Sequence, residues 1–405
     1  MRLAKLSLAT IVALGAFSSI ACATPLEEAI KNVDVSGYAR YRYTNDTNED
    51  KNVKDTKADH RFRVVATFKA AIDDNFFGVL GLRYDARDGS GSREKGTDLT
   101  DTTGTFGVWE AYVGYSIGNT TITAGKQLIK TYFDDGDISG TGIKIMNKDI
   151  EGLTLTAAAF DAISNYTFEN DGPLLKDIKA DNFDANGNLY LVGAMGTYDP
   201  VAFSVWYANL TDVAAIYAGD IALNFNINDI KLSLKGQYAH NEADHKDYTD
   251  GDFYGVQAGV GAFGVKFNAG YINYSADDKD ANTVGKSFVS LDANGKFINP
   301  SKILQGVMSG SKNYYNNIID DNEFWFVNAS YTYDKYSIGA GYTDGEGYSH
   351  ALSVVEADRS EWYAQLGYKH SKKLNFTTWY ASAKDEKGGK EFTQDRVRFE
   401  ARYNF

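Results

Sequence analysis

The C-terminal residues of this chain alternate strictly between apolar and polar side chains. In residues 396–405 (RVRFEARYNF), the positions between the polar ones are Val397, Phe399, Ala401, Tyr403 and Phe405. A repeat of two residues predicts a β-strand, because successive strand side chains point to opposite faces. A strand of an outer-membrane β-barrel has this pattern, with one face toward lipid and the other toward a water-filled lumen. An edge strand of a soluble sheet is the alternative interpretation.

The same alternation recurs along the chain and predicts eighteen strands. They cover residues 33–43, 60–70, 76–85, 106–117, 120–128, 141–146, 153–160, 188–198, 201–210, 214–226, 230–240, 253–260, 264–275, 322–333, 336–343, 360–370, 374–384 and 393–405. An even number of strands brings both ends of a single-chain bacterial barrel to the same side. We therefore expect an all-β fold, a transmembrane antiparallel β-barrel of about 18 strands, formed by one domain over residues 24–405.

The connections between these segments alternate in length. Short ones such as Gly118-Asn119 and Asp334-Lys335 contrast with long ones at 44–59, 86–105, 161–187, 241–252, 276–321 and 344–359. Short periplasmic turns and long external loops are typical of outer-membrane barrels. The longest loop, 276–321, is expected at the wide mouth of the barrel.

The N-terminal residues have the pattern of a secretory signal peptide. A charged start and an apolar run precede small residues at 21–23 (ACA), which predicts a signal peptide over residues 1–23. A lipoprotein acylated at Cys22 is the alternative. Cleavage after Ala23 would remove the only cysteine, which excludes disulfides and a cysteine nucleophile. About nine residues would then precede the first strand, too few for the plug domain of an active importer.

Composition adds two constraints. The chain contains 28 Tyr and 23 Phe, as expected for the aromatic girdles of a barrel. Its formal net charge of −13 disfavours nucleic-acid binding. No HExxH or P-loop motif occurs, so we predict that the protein is not an enzyme. His240 and His245 do not have the spacing of a zinc site.

Several segments carry a resemblance to a known family. The stretch TPLEEAIKNVDVSGYARYRY, residues 124–127 (AGKQ), the run GTGIKI followed by EGLTLTAAAF, and KLNFTTWY near the end resemble the Campylobacter-type (epsilonproteobacterial) major outer membrane protein. The resemblance spans the chain and is weaker in the external loops. It implies a homotrimeric general porin in the outer membrane, for passive diffusion of ions and small hydrophilic solutes. The acidic external loops are expected to meet divalent cations and the lipopolysaccharide surface. A surface adhesin whose long loops bind host or envelope partners is the alternative.

Alternation and closure together predict where the basic side chains lie. In a closed barrel the last strand pairs with the first, so arginines that are distant in sequence share one wall of the lumen. The predicted basic wall consists of Arg40, Arg42, Arg61, Arg63, Arg83, Arg396, Arg398 and Arg402. The alternative interpretation is that these arginines are ordinary charged side chains that face the lumen, are solvated and have no specialised role.

The third external loop, residues 129–140 (IKTYFDDGDISG), is the candidate constriction loop, because in general porins this loop folds inward. It carries Asp134, Asp135 and Asp137. Acids that face a basic wall would produce a transverse field across a narrow aqueous gap. Because the loops are acidic, we expect a mild preference for cations.

The same loop contains a candidate site for Ca²⁺, which binds several carboxylate and carbonyl oxygens from flexible loops. Asp135 and Asp137 are the candidate ligands, together with Glu169 and Asp171 in the next external loop. The spacing does not match an EF-hand. We expect no cofactor to be required beyond this candidate ion.

Overall fold

The computed structural model describes residues 33–50, 53–91, 106–131, 138–163, 188–245, 249–277, 297–304, 320–349 and 353–405. In this part of the chain eighteen strands follow one another: β1 (Val33–Asp50), β2 (Val53–Ala71), β3 (Phe76–Gly91), β4 (Gly107–Ile117), β5 (Thr120–Leu128), β6 (Ser139–Asn147), β7 (Leu153–Ile163), β8 (Leu189–Tyr198), β9 (Val201–Leu210), β10 (Ala214–Ile227), β11 (Ile230–Ala243), β12 (Gly251–Ala262), β13 (Val265–Ala276), β14 (Asp320–Tyr333), β15 (Tyr336–Ser349), β16 (Ser353–Lys369), β17 (Leu374–Lys387) and β18 (Lys390–Asn404). Each strand pairs antiparallel with its neighbours in sequence, and β18 also pairs with β1. The prediction of an 18-stranded antiparallel barrel is confirmed.

The barrel closes where the last residue meets the first strand. The Gly37 N–H donates to the Phe405 backbone oxygen at 3.2 Å, and the Phe405 N–H donates to the Gly37 oxygen at 3.0 Å. A Cβ atom at position 37 would collide with the backbone oxygen of Val65 on the neighbouring strand. Glycine is therefore required here, because only its backbone can approach the adjacent strand this closely.

The outer face of the barrel is apolar. Exposed side chains on this face include Val35, Val113, Ile143, Val192, Val205, Ile221, Val256, Ile338, Leu366 and Val397. Rings border this band at two levels, with Tyr336 and Tyr368 stacked 5.0 Å apart at one level and Trp362 and Tyr380 5.2 Å apart at the other. Apolar side chains between two aromatic girdles form the lipid-facing belt of an outer-membrane barrel.

Several strands extend further than the sequence predicted. The prediction of a long loop at residues 44–59 is wrong, because β1 and β2 remain paired from Thr44 opposite Asp59 up to Asp50 opposite Val53. The ends of β3, β15 and β16 extend similarly past the predicted bounds. These ends are polar on both faces, as in residues 44–50 (TNDTNED), so they show no hydrophobic alternation. The backbone ladder nevertheless continues beyond the lipid-facing belt, where both faces meet water.

The short turns use residues suited to tight backbone geometry. In the turn between β2 and β3, the Asp73 carboxylate accepts the N–H groups of Asn75 at 2.8 Å and Phe76 at 2.7 Å. These bonds stabilise the charged form and lower the pKa of Asp73. Asn228 and Asp334 occupy the left-handed region in two other turns, which their short side chains tolerate.

In the described ranges, no helix has both the length and the apolar character needed to cross a membrane. The predicted signal peptide, residues 1–23, lies outside those ranges, so its cleavage stays a prediction.

Candidate functional site

The register of β1 determines which side chains share the inside of the barrel. Arg40 lies opposite Arg402 on β18 and opposite Arg63 on β2. In the next inward row, Arg42 lies opposite Glu400. Because directly opposed residues of an antiparallel pair point to the same side, these rows form one continuous inner surface.

All eight predicted arginines lie on this inner surface. They are distributed over β1 (Arg40, Arg42), β2 (Arg61, Arg63), β3 (Arg83) and β18 (Arg396, Arg398, Arg402). The side chains of Arg40, Arg63 and Arg83 are buried, and the other five are half-buried. We call the inward-facing residues of β16–β18 and β1–β3 the charged wall. Its role in transport is not tested by this placement and stays a prediction.

The charged wall contains acids as well as arginines. Arg42 Nε lies 2.8 Å from Glu400 Oε2, and Arg61 Nε lies 2.7 Å from Asp59 Oδ2. The alternation that placed the arginines inward places these carboxylates inward too, since Glu400 stands between Arg398 and Arg402. The predicted basic wall did not include these carboxylates. The wall is thus a network of ion pairs and not a purely basic ladder.

Two further carboxylates of the charged wall, Asp85 and Asp46, also pair with arginines. Asp85 accepts from both Arg63, at 2.5 Å, and Arg83. Arg396 Nε lies 2.5 Å from Asp46 Oδ1. These carboxylates follow the same period of two as the arginines, so the sequence contained the signal for them.

Aromatic rings orient other guanidinium groups along the wall. Arg83 lies 4.3 Å from the Trp109 ring centroid, and Arg402 lies 3.9 Å from the Tyr38 centroid. Arg398 lies 5.0 Å from the Trp379 centroid. In such cation–π contacts the ring face attracts the cation, which favours a guanidinium plane that lies against the ring.

One buried arginine of the charged wall was missed. Arg359 on β16 is 1% exposed, and its Nε lies 3.6 Å from Asp385 Oδ2 on β17. Its guanidinium also donates to the side-chain oxygen of Asn322 on β14. The predicted strand began at residue 360, so Arg359 fell in an expected loop. A correct strand start would have placed it inward by alternation.

The other side of the lumen is apolar. Inward-facing residues of β7 to β14 include Phe160, Leu189, Leu191, Trp206, Ile216, Phe253, Ile272, Phe324 and Phe326, all buried. We call these residues the apolar wall. They form one cluster with Ile129 and Ile138, at the two ends of loop 129–140, and with apolar side chains of residues 297–304. The ends of that loop and residues 297–304 therefore lie inside the barrel and cover part of this wall.

The ends of the candidate constriction loop are among these inward segments. The Ile129 N–H donates to the Ile138 oxygen at 3.0 Å, and both side chains are buried. Lys144 Nζ donates to the carbonyl oxygens of Leu128 at 2.9 Å and Ile129 at 3.3 Å. The flanks of loop 129–140 thus join the inner surface of the barrel.

The predicted acids lie outside the described residues. They are Asp134, Asp135 and Asp137 in the constriction loop, with Glu169 and Asp171 in the next loop. Their proposed constriction and metal roles stay predictions. In the ranges that are described, no group of three or more His, Cys, Asp or Glu side chains is arranged to hold a metal ion.

The second inward segment corrects an expectation about the longest loop. Residues 297–304 do not lie at the mouth of the barrel: the Phe297 ring centroid is 4.4 Å from that of Phe253 on the apolar wall. The Ile298 N–H donates to Gln237 Oε1 at 2.5 Å, on the inner face of β11. The loop was expected outside because its length alone indicates an external position, whereas its apolar side chains at residues 297, 298, 303 and 304 favour burial.

These observations define a class of protein. A closed β-barrel with an apolar outer belt, a charged inner wall and loop segments folded into the lumen is the architecture of an outer-membrane porin. The chain is a porin channel of the outer membrane.

Comparison with known families identifies the group within this class. The family model described as Campylobacter major outer membrane protein matches residues 1–405, so the chain belongs to the Campylobacter major outer membrane protein family. The predicted resemblance is therefore confirmed. No curated protein sequence gives a significant match.

Solved structures show the same fold at low identity. Pseudomonas aeruginosa OccK5 (OpdH) is 12% identical, with 93% of this chain and 99% of that chain covered and a TM-score of 0.63. Acinetobacter baumannii OccAB4 is 12% identical, with 92% and 98% covered and a TM-score of 0.65. A BenF-like porin from Pseudomonas fluorescens Pf-5 is 13% identical, with 92% and 99% covered and a TM-score of 0.62.

Proposed function

We propose that this porin is a general diffusion channel for ions and small hydrophilic solutes, with a mild preference for cations. The observation that supports the preference is the pairing within the charged wall. At least five of the eight predicted arginines have a carboxylate oxygen within 2.8 Å. Pairing offsets much of the positive potential of the arginines. The acidic balance of the chain, −13 overall, then favours cations.

Passage through such a lumen needs no chemical step. Ions and polar solutes exchange part of their hydration shell for guanidinium and carboxylate groups of the charged wall. Apolar solutes gain nothing there and would displace water that is bound to charges. We therefore also infer that the protein has no enzymatic activity.

The cation preference is tested by the reversal potential of the purified porin in a planar bilayer across a KCl gradient. We expect a modest cation preference that decreases with salt, because the Debye length falls from about 8 Å at physiological ionic strength to about 3 Å at 1 M. A clear anion preference at low salt would contradict the proposal.

We propose further that the chain is exported with a cleaved signal peptide and forms a homotrimer in contact with lipopolysaccharide. N-terminal sequencing of the protein from outer membranes should then begin at Thr24. Light scattering of the detergent-extracted protein should give three times the mass of the chain. A start at Cys22 or a monomeric mass would contradict the corresponding part.

The candidate Ca²⁺ site is a proposal that rests on the loop acids alone. Asp135, Asp137, Glu169 and Asp171 would supply carboxylate oxygens, the ligands that this ion prefers. Titration calorimetry with Ca²⁺ tests it, with Asp135→Asn and Asp137→Asn together as the variant. Binding that is equal in the parent protein and the variant would exclude these residues as ligands.

A further inference from the structure

Residues 297–304 cross the inside of the barrel. At one end of the segment, the Ile298 N–H donates to Gln237 on β11. At the other end, the N–H groups of Ile303 and Leu304 donate to Glu361 on β16. The strands β12 to β15 lie between these two attachment points along the wall. The segment therefore connects two separate parts of the inner surface.

Glu361 is the acceptor for a converging group of backbone donors. Its Oε1 accepts the Lys302 N–H at 2.5 Å, and its Oε2 accepts those of Ile303 and Leu304, each at 2.8 Å. Glu361 is 1% exposed and lies opposite Thr343 and Ala383 on the inner face. Successive N–H groups that converge on one anion form a backbone anion site. A buried carboxylate needs such partners, so the carboxylate and the segment stabilise each other.

The side chains of the segment match the surface that they cover. Phe297, Ile298, Ile303 and Leu304 are buried and belong to the same cluster as the apolar wall. Lys302 extends over the Tyr363 ring, with Nζ 4.9 Å from the centroid. Apolar contacts fill the interface, and Glu361 and Gln237 fix the position of the backbone.

We propose that Glu361 is the positioning residue that anchors residues 297–304 inside the lumen, and that the anchored segment limits the cross-section available to solutes. The segment would act beside loop 129–140 as a second element of the constriction. This inference concerns solute size and is independent of the proposed ion preference. The alternation of the sequence predicts that Glu361 faces inward, but it does not predict that Glu361 anchors a loop.

The proposal is tested with Glu361→Ala and Glu361→Gln. Unitary conductance in planar bilayers and the size cut-off for sugars in liposome swelling are the measurements. Glu361→Ala removes the acceptor of three N–H groups, so we expect larger unitary conductance, a larger cut-off and increased current fluctuation. Glu361→Gln keeps one acceptor oxygen and should lie between Glu361→Ala and the parent protein.

The matched control is Glu400→Gln. Glu400 is also an inward-facing carboxylate, but it pairs with the Arg42 side chain at 2.8 Å, whereas Glu361 accepts backbone N–H groups of residues 302–304. Its loss should change the reversal potential and leave the sugar cut-off unchanged. A sugar cut-off and conductance that are the same in Glu361→Ala and in Glu400→Gln would overturn the proposal. An unexpected anion preference of the parent protein would contradict the proposed function and leave this result unaffected.

A second variant tests the same proposal without changing Glu361 on β16. Ile303→Ser together with Leu304→Ser weakens the apolar contacts of the segment and leaves every strand intact. Heat-modifiable mobility on gels verifies that each variant is a folded barrel. If Glu361→Ala fails to fold, the loop variant decides: a larger cut-off supports the proposal, and a parental cut-off overturns it.

Discussion

The two sides of the lumen differ in how their inward-facing side chains are accommodated. On the charged wall, arginines and carboxylates pair across neighbouring strands, and stacking on rings orients several guanidinium groups. On the apolar wall, large hydrophobic side chains face inward and are buried under the loop segments. On the first side the inward polar groups are satisfied by pairing with one another, whereas on the second side the inward apolar groups are covered by other apolar side chains.

The inside of this barrel is therefore not uniformly polar. An inward apolar surface would be costly if it faced water. Here that surface packs against Ile129, Ile138 and the apolar side chains of residues 297–304.

The largest expected effect lies in the apolar wall. Phe324→Ala should destabilise the folded barrel by about 3–5 kcal/mol, because a fully buried phenylalanine leaves a cavity that the neighbours fill only in part. Trp325→Ala on the same strand is the control, since Trp325 faces outward and is 46% exposed. Urea unfolding of the protein in lipid vesicles measures both. Equal losses would show that the apolar wall does not form a packed interior.

A smaller effect is expected when an ion pair of the charged wall is broken. Asp85→Asn should cost up to about 3 kcal/mol, since Arg63 and Arg83 would keep their charges without their shared carboxylate. The control is Glu391→Gln, which breaks the exposed pair with Lys384 and should cost below about 1 kcal/mol. The same unfolding assay compares them. A larger loss for Glu391→Gln would contradict the assignment of a buried network.

The smallest expected effects are changes of selectivity without loss of stability. Arg40→Gln with Arg42→Gln should increase the preference for cations, and Asp134→Asn, Asp135→Asn and Asp137→Asn together should decrease it. Charges act on a permeating ion within about one Debye length, roughly 8 Å at physiological salt. Reversal potentials measure both changes.

The comparison set for this selectivity experiment lies in the longest loop. Asp277→Asn with Asp278→Asn changes charge near the end of β13, where Asp277 is exposed. These changes should shift the reversal potential less than those in loop 129–140. If the two sets of aspartates shift it equally, the acids of loop 129–140 do not lie at the constriction.

Much of the fold followed from a period of two. The strand number, the closure of β18 on β1 and the family were predicted correctly, because a barrel strand must alternate wherever it crosses lipid. The ends of β1, β2, β3, β15 and β16 were missed, because outside the lipid both faces are polar. Local sequence carries no signal for pairing there.

The apolar wall and its cover could be predicted only in part. In β14, Phe324, Trp325 and Phe326 are consecutive, so apolar residues fall on both faces and the alternation disappears. Such a run within a barrel strand indicates an inner face that is covered. The bonds from Glu361 to Ile303 and Leu304 could not be predicted, because they join residues distant in sequence and depend on the path of the loop.

The continued pairing of β1 and β2 through residues 44–59 affects how antibodies would recognise this region. Within each strand of the paired hairpin, neighbouring residues alternate between two faces, so each face presents side chains from two separate stretches of sequence. A linear peptide of residues 44–59 would present the same residues without this arrangement. Antibodies raised against the folded porin should therefore bind the peptide weakly, and antibodies against the peptide should prefer the denatured protein.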